Sequence, residues 1–487
     1  MRVVVVGAGS CGCVVAARCA ATPGVEVVLI EAGPDRARAL PANTLPIGPD
    51  STLIDPIGIH IHAGADGSAS ADGVVTRGRV LGGSGAVNGG YFIRGRLTDY
   101  TRWPGPEWSA EVVGAAFRRI EHDLDFPGDP RHGDAGPIPV RRARADRYAP
   151  PTRAAVTAFA GAGLAALADL NDMHVEVGFG PVPGNIRAEY RIDTATGYFG
   201  NGTEDIRVPE AIRLRTGTTV LSIRIDHGRA RGVRLRTAAG AIEEVAADLV
   251  VLAAGAVRTP QLLLLSGVGP AAEVARIGAD PVVDLPGVGR GIRDHPELML
   301  PTDELAVDHA DRLLEVVAHL DGVEVRPYAA GFGAFIPGVD DRRRHVGIAL
   351  MRSDTVGTLH LDAADPSAAP RVDYDLRGDR DRLAAIGRRE TAIGDLAARL
   401  GASEGAGGRI GMSLHASCGA RMGDDDDPGA VVDSRCRVRG VDGLRVIDTS
   451  AFPEIPTRGP HATAIMFADR ACDLLLEDVH GESATVD

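Results

Sequence analysis

Val3-Val4-Val5-Val6-Gly7-Ala8-Gly9-Ser10-Cys11-Gly12 opens the chain; a helical stretch to Ala21, a Pro23-Gly24 turn and Val25-Glu26-Val27-Val28-Leu29-Ile30-Glu31 follow. The order is strand, glycine turn, helix, strand. An unbroken valine run suits a strand buried on both faces. Gly7, Gly9 and Gly12 match the three needs of a dinucleotide-binding turn: a tight bend, close approach to a pyrophosphate and close helix packing. Glu31 ends the second strand, where a carboxylate can accept hydrogen bonds from an adenosine ribose. The glycines alone are a weak signal, but the whole unit with its acid predicts an α/β fold built on a Rossmann-like domain.

Beyond this unit, residues 32 to 75 are rich in Pro, Gly and Ala with little periodicity, and read as loops. The densest glycine cluster comes next, with six glycines among the thirteen residues from Gly78 to Gly90. Regular structure is costly there, and backbone amides are free to face a ligand. Arg77, Arg79, Arg94 and Arg96 around it are candidates either for phosphate contact or for solvated charge. Thr218 to Ile225 and Ala230 to Arg236 alternate as a hairpin around Asp226-His227-Gly228. Asp248 to Gly255 reads as a buried strand opening into an apolar helix. From about 297 to 410 short strands alternate with Arg- and Ala-rich helices, which predicts a separate layer. After Met412 the nucleotide-domain character resumes, with Leu444 to Asp448 as a strand and Ala462 to Leu476 as a helix. Gly287-Val288-Gly289-Arg290-Gly291 lacks the strand-turn-helix setting of a second fingerprint. With one nucleotide unit only, electrons are expected from the substrate itself and not from a nicotinamide.

Composition removes whole classes of function. The 487 residues carry 66 acidic and 52 basic side chains, a net charge of −14, which disfavours binding to nucleic acid or to an anionic bilayer. No lysine occurs anywhere, so a lysine-dependent phosphate loop, a Schiff-base enzyme and a Tyr-x-x-x-Lys dehydrogenase are all excluded. The six cysteines form no C-x-x-C pair, which argues against a zinc knuckle or a redox dithiol. His60-Ile61-His62 offers two imidazoles without a third ligand and reads as a surface feature, so no metal is expected. Apolar runs stay far below the roughly 18 residues of a membrane span. The expectation is a cytoplasmic protein without an integral membrane segment, with peripheral attachment to the inner face of the membrane left open.

Several separated segments resemble the glucose-methanol-choline (GMC) oxidoreductases, across nearly the whole chain. Gly78 to Arg94 is similar to the family's first signature and Gly255 to Gly269 to its second. Val288-Gly289-Arg290 with Asp294-His295-Pro296, and Gly443 to Ser450, resemble further family segments. The resemblance implies a Rossmann-like FAD-binding domain interleaved with a smaller substrate domain built on an antiparallel sheet. On this reading residues 1–296 are mainly FAD-binding, with part of the substrate domain around 105–205. Residues 297–410 are substrate-binding, and 411–487 return to the FAD domain. It further implies that Gly7, Gly9, Ser10, Gly12, Glu31 and Ala32 hold the ADP half, with Val220 beside adenine. Arg79, Gly82, Gly83, Ser84, Asn88 and Gly89 would approach the flavin, and Ala254, Gly255, Asp448, His461 and Ala462 would complete the cofactor site. Some members tether FAD through a histidine just before the asparagine; Val87 stands there, so FAD is expected to be non-covalent.

The same resemblance assigns a catalytic pair, His415 and His461. His415 to Gly423 is similar to the family's His-Pro-Val-Gly-Thr-Cys-Arg-Met-Gly, with the same spacing to Arg421-Met422-Gly423 but with Ala416, Ser417, Cys418 and Ala420 inside it. An alcohol cannot release hydride easily while its oxygen stays protonated, and neutral imidazole suits the task of removing that proton. The expectation is His415 as base and His461 as its partner, with hydride passing to flavin N5. Arg77 to Phe92 also resembles the mycofactocin-associated GMC dehydrogenases, which implies mycofactocinol as electron donor and the respiratory chain as acceptor. Two other readings stay open: an oxidase or dehydrogenase of a small alcohol such as choline or a sugar, and a flavin-binding regulator or scaffold without turnover.

Overall fold

The valine run becomes the strand Arg2–Val6, whose four valines are at most 5% exposed. It is the middle of a five-stranded parallel sheet in the order Ile212–Arg215, Glu26–Ile30, Arg2–Val6, Leu249–Leu252, Leu444–Val446. A parallel sheet of this kind requires cover on both faces. The helices Ser10–Ala20 and His461–Ala484 pack on each other, and the antiparallel sheet Thr219–Asp226, Arg229–Arg236, Ile242–Ala246 packs against Leu249–Leu252. The hairpin expected around Asp226 is present, and His227 and Gly228 at its tip both have positive φ, 47° and 74°, as a type I′ turn requires. Distant segments therefore return to one sheet. These coordinates come from a computed structural model, which describes residues 1–62, 69–200, 202–305, 310–376, 378–403 and 408–484.

A six-stranded antiparallel sheet forms the second body, in the order Arg409–Met412, Pro296–Leu305, Arg343–Leu350, Val323–Pro327, Val316–Leu320, Gly178–Pro181. Alternation gives it two unlike faces. Leu298, Leu300, Val325, Ile348 and their neighbours build an apolar core with the helices Pro150–Gly161, Arg380–Gly387 and Ala392–Arg399. The intervening positions Glu297, Met299, Glu324, Arg326 and Tyr328 point the other way. Gly347, across from Met299 and Arg326, leaves space on that face: a Cβ there would sit 2.3 Å from Glu297 Oε1.

Two expectations are corrected here. Within the stretch 32–75 the chain is not all loop, since Ile54–His62 and Ala69–Gly78 form a long antiparallel hairpin; residues 63–68 lie outside the described residues. The period-two signal was there in Ile57, Ile59 and Ile61, all buried, but Pro56 before them and Gly58 among them read as turn chemistry. Nor does 297–410 make one layer. Val356–His360 and Arg371–Asp375 leave the six-stranded sheet and join that hairpin, together with Arg290–Ile292, in a separate five-stranded sheet. Periodicity reveals that a strand exists and is silent about its partner.

A buried ionic cluster braces the region around 94–169. His132 Nδ1 lies 3.0 Å from both Glu121 and Asp123, and its Nε2 lies 3.1 Å from Asp169. Arg142 bonds Asp123 and Asp169 at 2.5 and 2.6 Å, and Arg94 pairs with Glu121. Three carboxylates thus meet three cations. Burial opposes charge on His132, but the hydrogen bonds to Asp123, Asp169 and Glu121 outweigh it and raise its pKa to about 10.

Candidate active site

A cavity of about 890 Å³ opens between the glycine turns of the parallel sheet and the polar face of the six-stranded sheet. Small-molecule sites usually enclose roughly 300–1,000 Å³, so this one lies near the upper end and suits a large ligand. Gly7, at φ +100°, turns the chain where a Cβ would lie 2.5 Å from the Ala253 carbonyl oxygen. Gly83, at φ +56°, comes so close to the first turn that a Cβ would lie 2.6 Å from Gly9 Cα. No side chain at Gly83 fits against the first turn. Helix Ser10–Ala20 starts at Gly9 with no side-chain cap, and Gly9, Ser10 and Cys11 line the cavity, so its first N–H groups and its dipole favour an anion there.

Most of the expected cofactor positions meet at this cavity. Gly7, Gly9, Ser10, Ala32, Arg79, Gly83, Ser84, Asn88, Gly89, Val220, Ala254, Gly255, Asp448 and His461 all line it. Gly12, Glu31, Gly82 and Ala462 stand behind the wall. Gly12 lets the helix lie on the turn, since its Cβ would meet the Gly7 oxygen at 1.8 Å. Glu31 is buried and accepts hydrogen bonds from the N–H groups of Ala8, at 3.0 Å, and Gly33, at 2.8 Å. Burial raises its pKa to about 7, against those bonds. Asp448 accepts from the Gly255 N–H and the Thr259 hydroxyl at 2.8 and 2.6 Å, which ties the strand Leu444–Val446 to the turn before helix Gly255–Leu265. Of the four arginines, Arg77 and Arg79 line the cavity, whereas Arg94 belongs to the ionic cluster and Arg96 bonds Thr457 and the Glu176 carbonyl.

At the other end the cavity is lined by His415 and His461, from either side of Gly459 and Pro460. His461 begins the C-terminal helix, and its Nε2 is buried without a hydrogen-bond partner. An orphaned polar atom of this kind marks a place for a ligand. His415 pairs with His295, Nδ1 to Nδ1, at 2.8 Å. Asp294 accepts the backbone N–H of both, at 2.7 Å from His295 and 2.9 Å from His415. Burial drives all three imidazoles toward the neutral form. The His461 pKa falls to about 4 and that of His295 to about 3, while His415, also facing His295, Arg326 and Arg77, drops well below its ordinary value. The facing wall is a closed charge network: Arg326 bonds Glu324 at 2.6 Å and Glu297 at 2.8 Å, and Tyr91, Tyr328 and Ser413 donate to the same carboxylates.

Known proteins share this plan. The GMC oxidoreductase N-terminal family model matches residues 1–297, and its C-terminal counterpart matches residues 353–468. The chain belongs to the GMC oxidoreductase family. It is 38% identical to an uncharacterized GMC-type oxidoreductase of Rhodococcus erythropolis, over 97% of this chain and 98% of that one. It is 31% identical to 5-(hydroxymethyl)furfural oxidase of Methylovorus sp. (strain MP688), with the same coverage. The crystal structure of pyridoxine 4-oxidase from Mesorbium loti superposes with a TM-score of 0.80 at 24% identity, covering 97% of this chain and 98% of that one. The protein is therefore a GMC flavoprotein, an FAD-dependent oxidoreductase acting on CH–OH donors. The glycine turns that line the cavity and the uncapped helix end fit a dinucleotide. No described helix is long and apolar enough to cross a membrane.

The residues that sequence reasoning passed over are the supports of the pair. Asp294-His295-Pro296 was visible as a family segment without a role. Glu297 and Arg326 are 29 positions apart, and no spacing rule links them. A weak signal exists in Glu324 and Arg326, polar positions at period two inside the strand Val323–Pro327, with Tyr328 just beyond its end.

Proposed function

We propose that the protein oxidises the CH–OH group of mycofactocinol to a carbonyl and passes the electrons on to the respiratory chain. His415 takes the hydroxyl proton, and His461 holds the substrate oxygen in line. The glycine turns at Gly7 to Gly12 and Gly82 to Gly89, with Val220, Gly255 and Asp448, bind FAD non-covalently, since Val87 offers no nucleophile. When bound, FAD supplies the hydride acceptor, flavin N5. The single observation that carries the chemistry is that two imidazoles held neutral line the same cavity as the glycine turns. A neutral ring is ready to accept a proton at pH 7 and holds it only weakly, so the proton moves on and is not stored. The wording of Arg77 to Phe92 supports mycofactocinol.

A second reading, oxidation of a small alcohol, is favoured by the likeness to 5-(hydroxymethyl)furfural oxidase. A cationic alcohol such as choline belongs to the same reading, because the one guanidinium of Arg326 faces two carboxylates, Glu297 and Glu324, on the cavity side. Mixing the purified protein anaerobically with reduced mycofactocin, and separately with 5-(hydroxymethyl)furfural or choline, tests both. Flavin bleaching by the first alone supports the proposal, and bleaching by the small alcohols alone overturns it.

A further inference from the structure

His295 and His415 meet edge to face, with ring centroids 5.0 Å apart at 83°. Their Nδ1 atoms are 2.8 Å apart, and two neutral imidazoles share such a distance only with one proton between them. We infer that His295 is a positioning residue that sets the tautomer of His415, with the proton on His415 Nδ1 and a bare lone pair on Nε2 toward the cavity. This rests on the reading of His415 as the base.

The far side of His295 gives the direction. Its Nε2 is fully buried and has no well-aligned partner, and the backbone group facing the ring is that of Pro456, which has a carbonyl to accept with and no N–H to donate. With Nδ1 turned to His415, Nε2 is the nitrogen left to the Pro456 carbonyl, which favours a proton on this ring, whereas a bare Nε2 would set lone pair against lone pair. With Nε2 protonated, His295 Nδ1 is the acceptor and His415 Nδ1–H donates. That leaves His415 Nε2 unprotonated, and this is the nitrogen 3.7 Å from where a Cβ on Gly459, a cavity-lining residue, would stand. The charged groups around the pair reinforce neutrality. Arg326 and Arg77 both oppose a proton on the rings, and Asp294 spends Oδ1 on the two backbone N–H groups.

Nitrogen NMR of the holoenzyme labelled with 15N-histidine reads the tautomer directly, with His415 identified by its loss in His415→Gln. The expected pattern is a protonated Nδ1 and a bare Nε2 on His415, and the reverse pattern overturns the inference. In kinetics, His295→Leu lowers the rate of anaerobic flavin reduction at saturating substrate at least about tenfold, with apparent substrate affinity little changed. His295→Asn, whose Oδ1 replaces Nδ1 as acceptor, restores most of that rate. In a His415→Ala background His295→Leu adds no further loss, because the residue acts through His415; an undiminished loss there overturns the inference. A reversed tautomer in an enzyme still slowed by His415→Ala defeats only this inference, whereas a His415→Ala variant that reduces its flavin normally defeats the reading beneath it.

Discussion

Two sets of buried histidines stand in one molecule in opposite charge states. His132 is surrounded by Glu121, Asp123 and Asp169 and stays protonated, whereas His295, fully buried, and His415 and His461, half-buried in the cavity wall, have no carboxylate hydrogen-bonded to the ring and stay neutral. Burial is common to both. The difference is the partner on the imidazole: a carboxylate makes the ring a fixed cation that holds structure, and its absence makes the ring a base. Asp294 shows how the site keeps an acid nearby without spoiling this, because its carboxylate is engaged by backbone N–H groups and not by a ring.

The contrast can be broken from the structural side first. His132→Leu leaves three carboxylates facing two guanidinium groups in the interior and is expected to cost about 3–5 kcal/mol of stability. Urea unfolding measures this, and the rate of flavin reduction in the folded fraction should stay within about twofold. Because the folded pKa of His132 lies above its ordinary value near 6.5, its contribution is present in full below about pH 6.5 and fades as pH rises through about 10. The site histidines have the opposite sign. Between pH 6.5 and about 4 the unfolded chain binds protons that folded His461 refuses, so stability falls as pH falls through that window, by on the order of 3 kcal/mol for this group alone. Thermal melting against pH should show that slope in the parent, and His461→Asn should reduce it, His295 and His415 contributing the remainder. The smallest effect sharpens the role of burial: His60 also pairs with a carboxylate, Asp72, but at the surface, and His60→Ala should shift stability by less than about 1 kcal/mol.

How much of this was legible in the sequence follows from how local each signal is. The strand-turn-helix-strand unit is contiguous, so Val3 to Glu31 announced both the parallel sheet and the nucleotide turn. His415 and His461 were visible through their neighbours in the chain. The hairpin at 54–78 was missed because Pro56 and Gly58 imitate a loop, although the antiparallel pairing with Ala69–Gly78 tolerates them. The supports of the site are non-local. Whether a histidine sits beside Asp169 or beside a second imidazole depends on contacts between residues up to 120 positions apart, which no periodicity records. His132 and His415 look alike as letters and differ only once the chain is folded.

The most direct measurement is the anaerobic half-reaction. His415→Ala and His461→Ala, each loaded with FAD, are mixed with an alcohol that bleaches the parent enzyme, and the rate of bleaching is followed. At least one of the two should be slowed by about tenfold or more, with His415→Ala the more severe. Bleaching at the parent rate in both would contradict the assignment of these neutral imidazoles to proton abstraction.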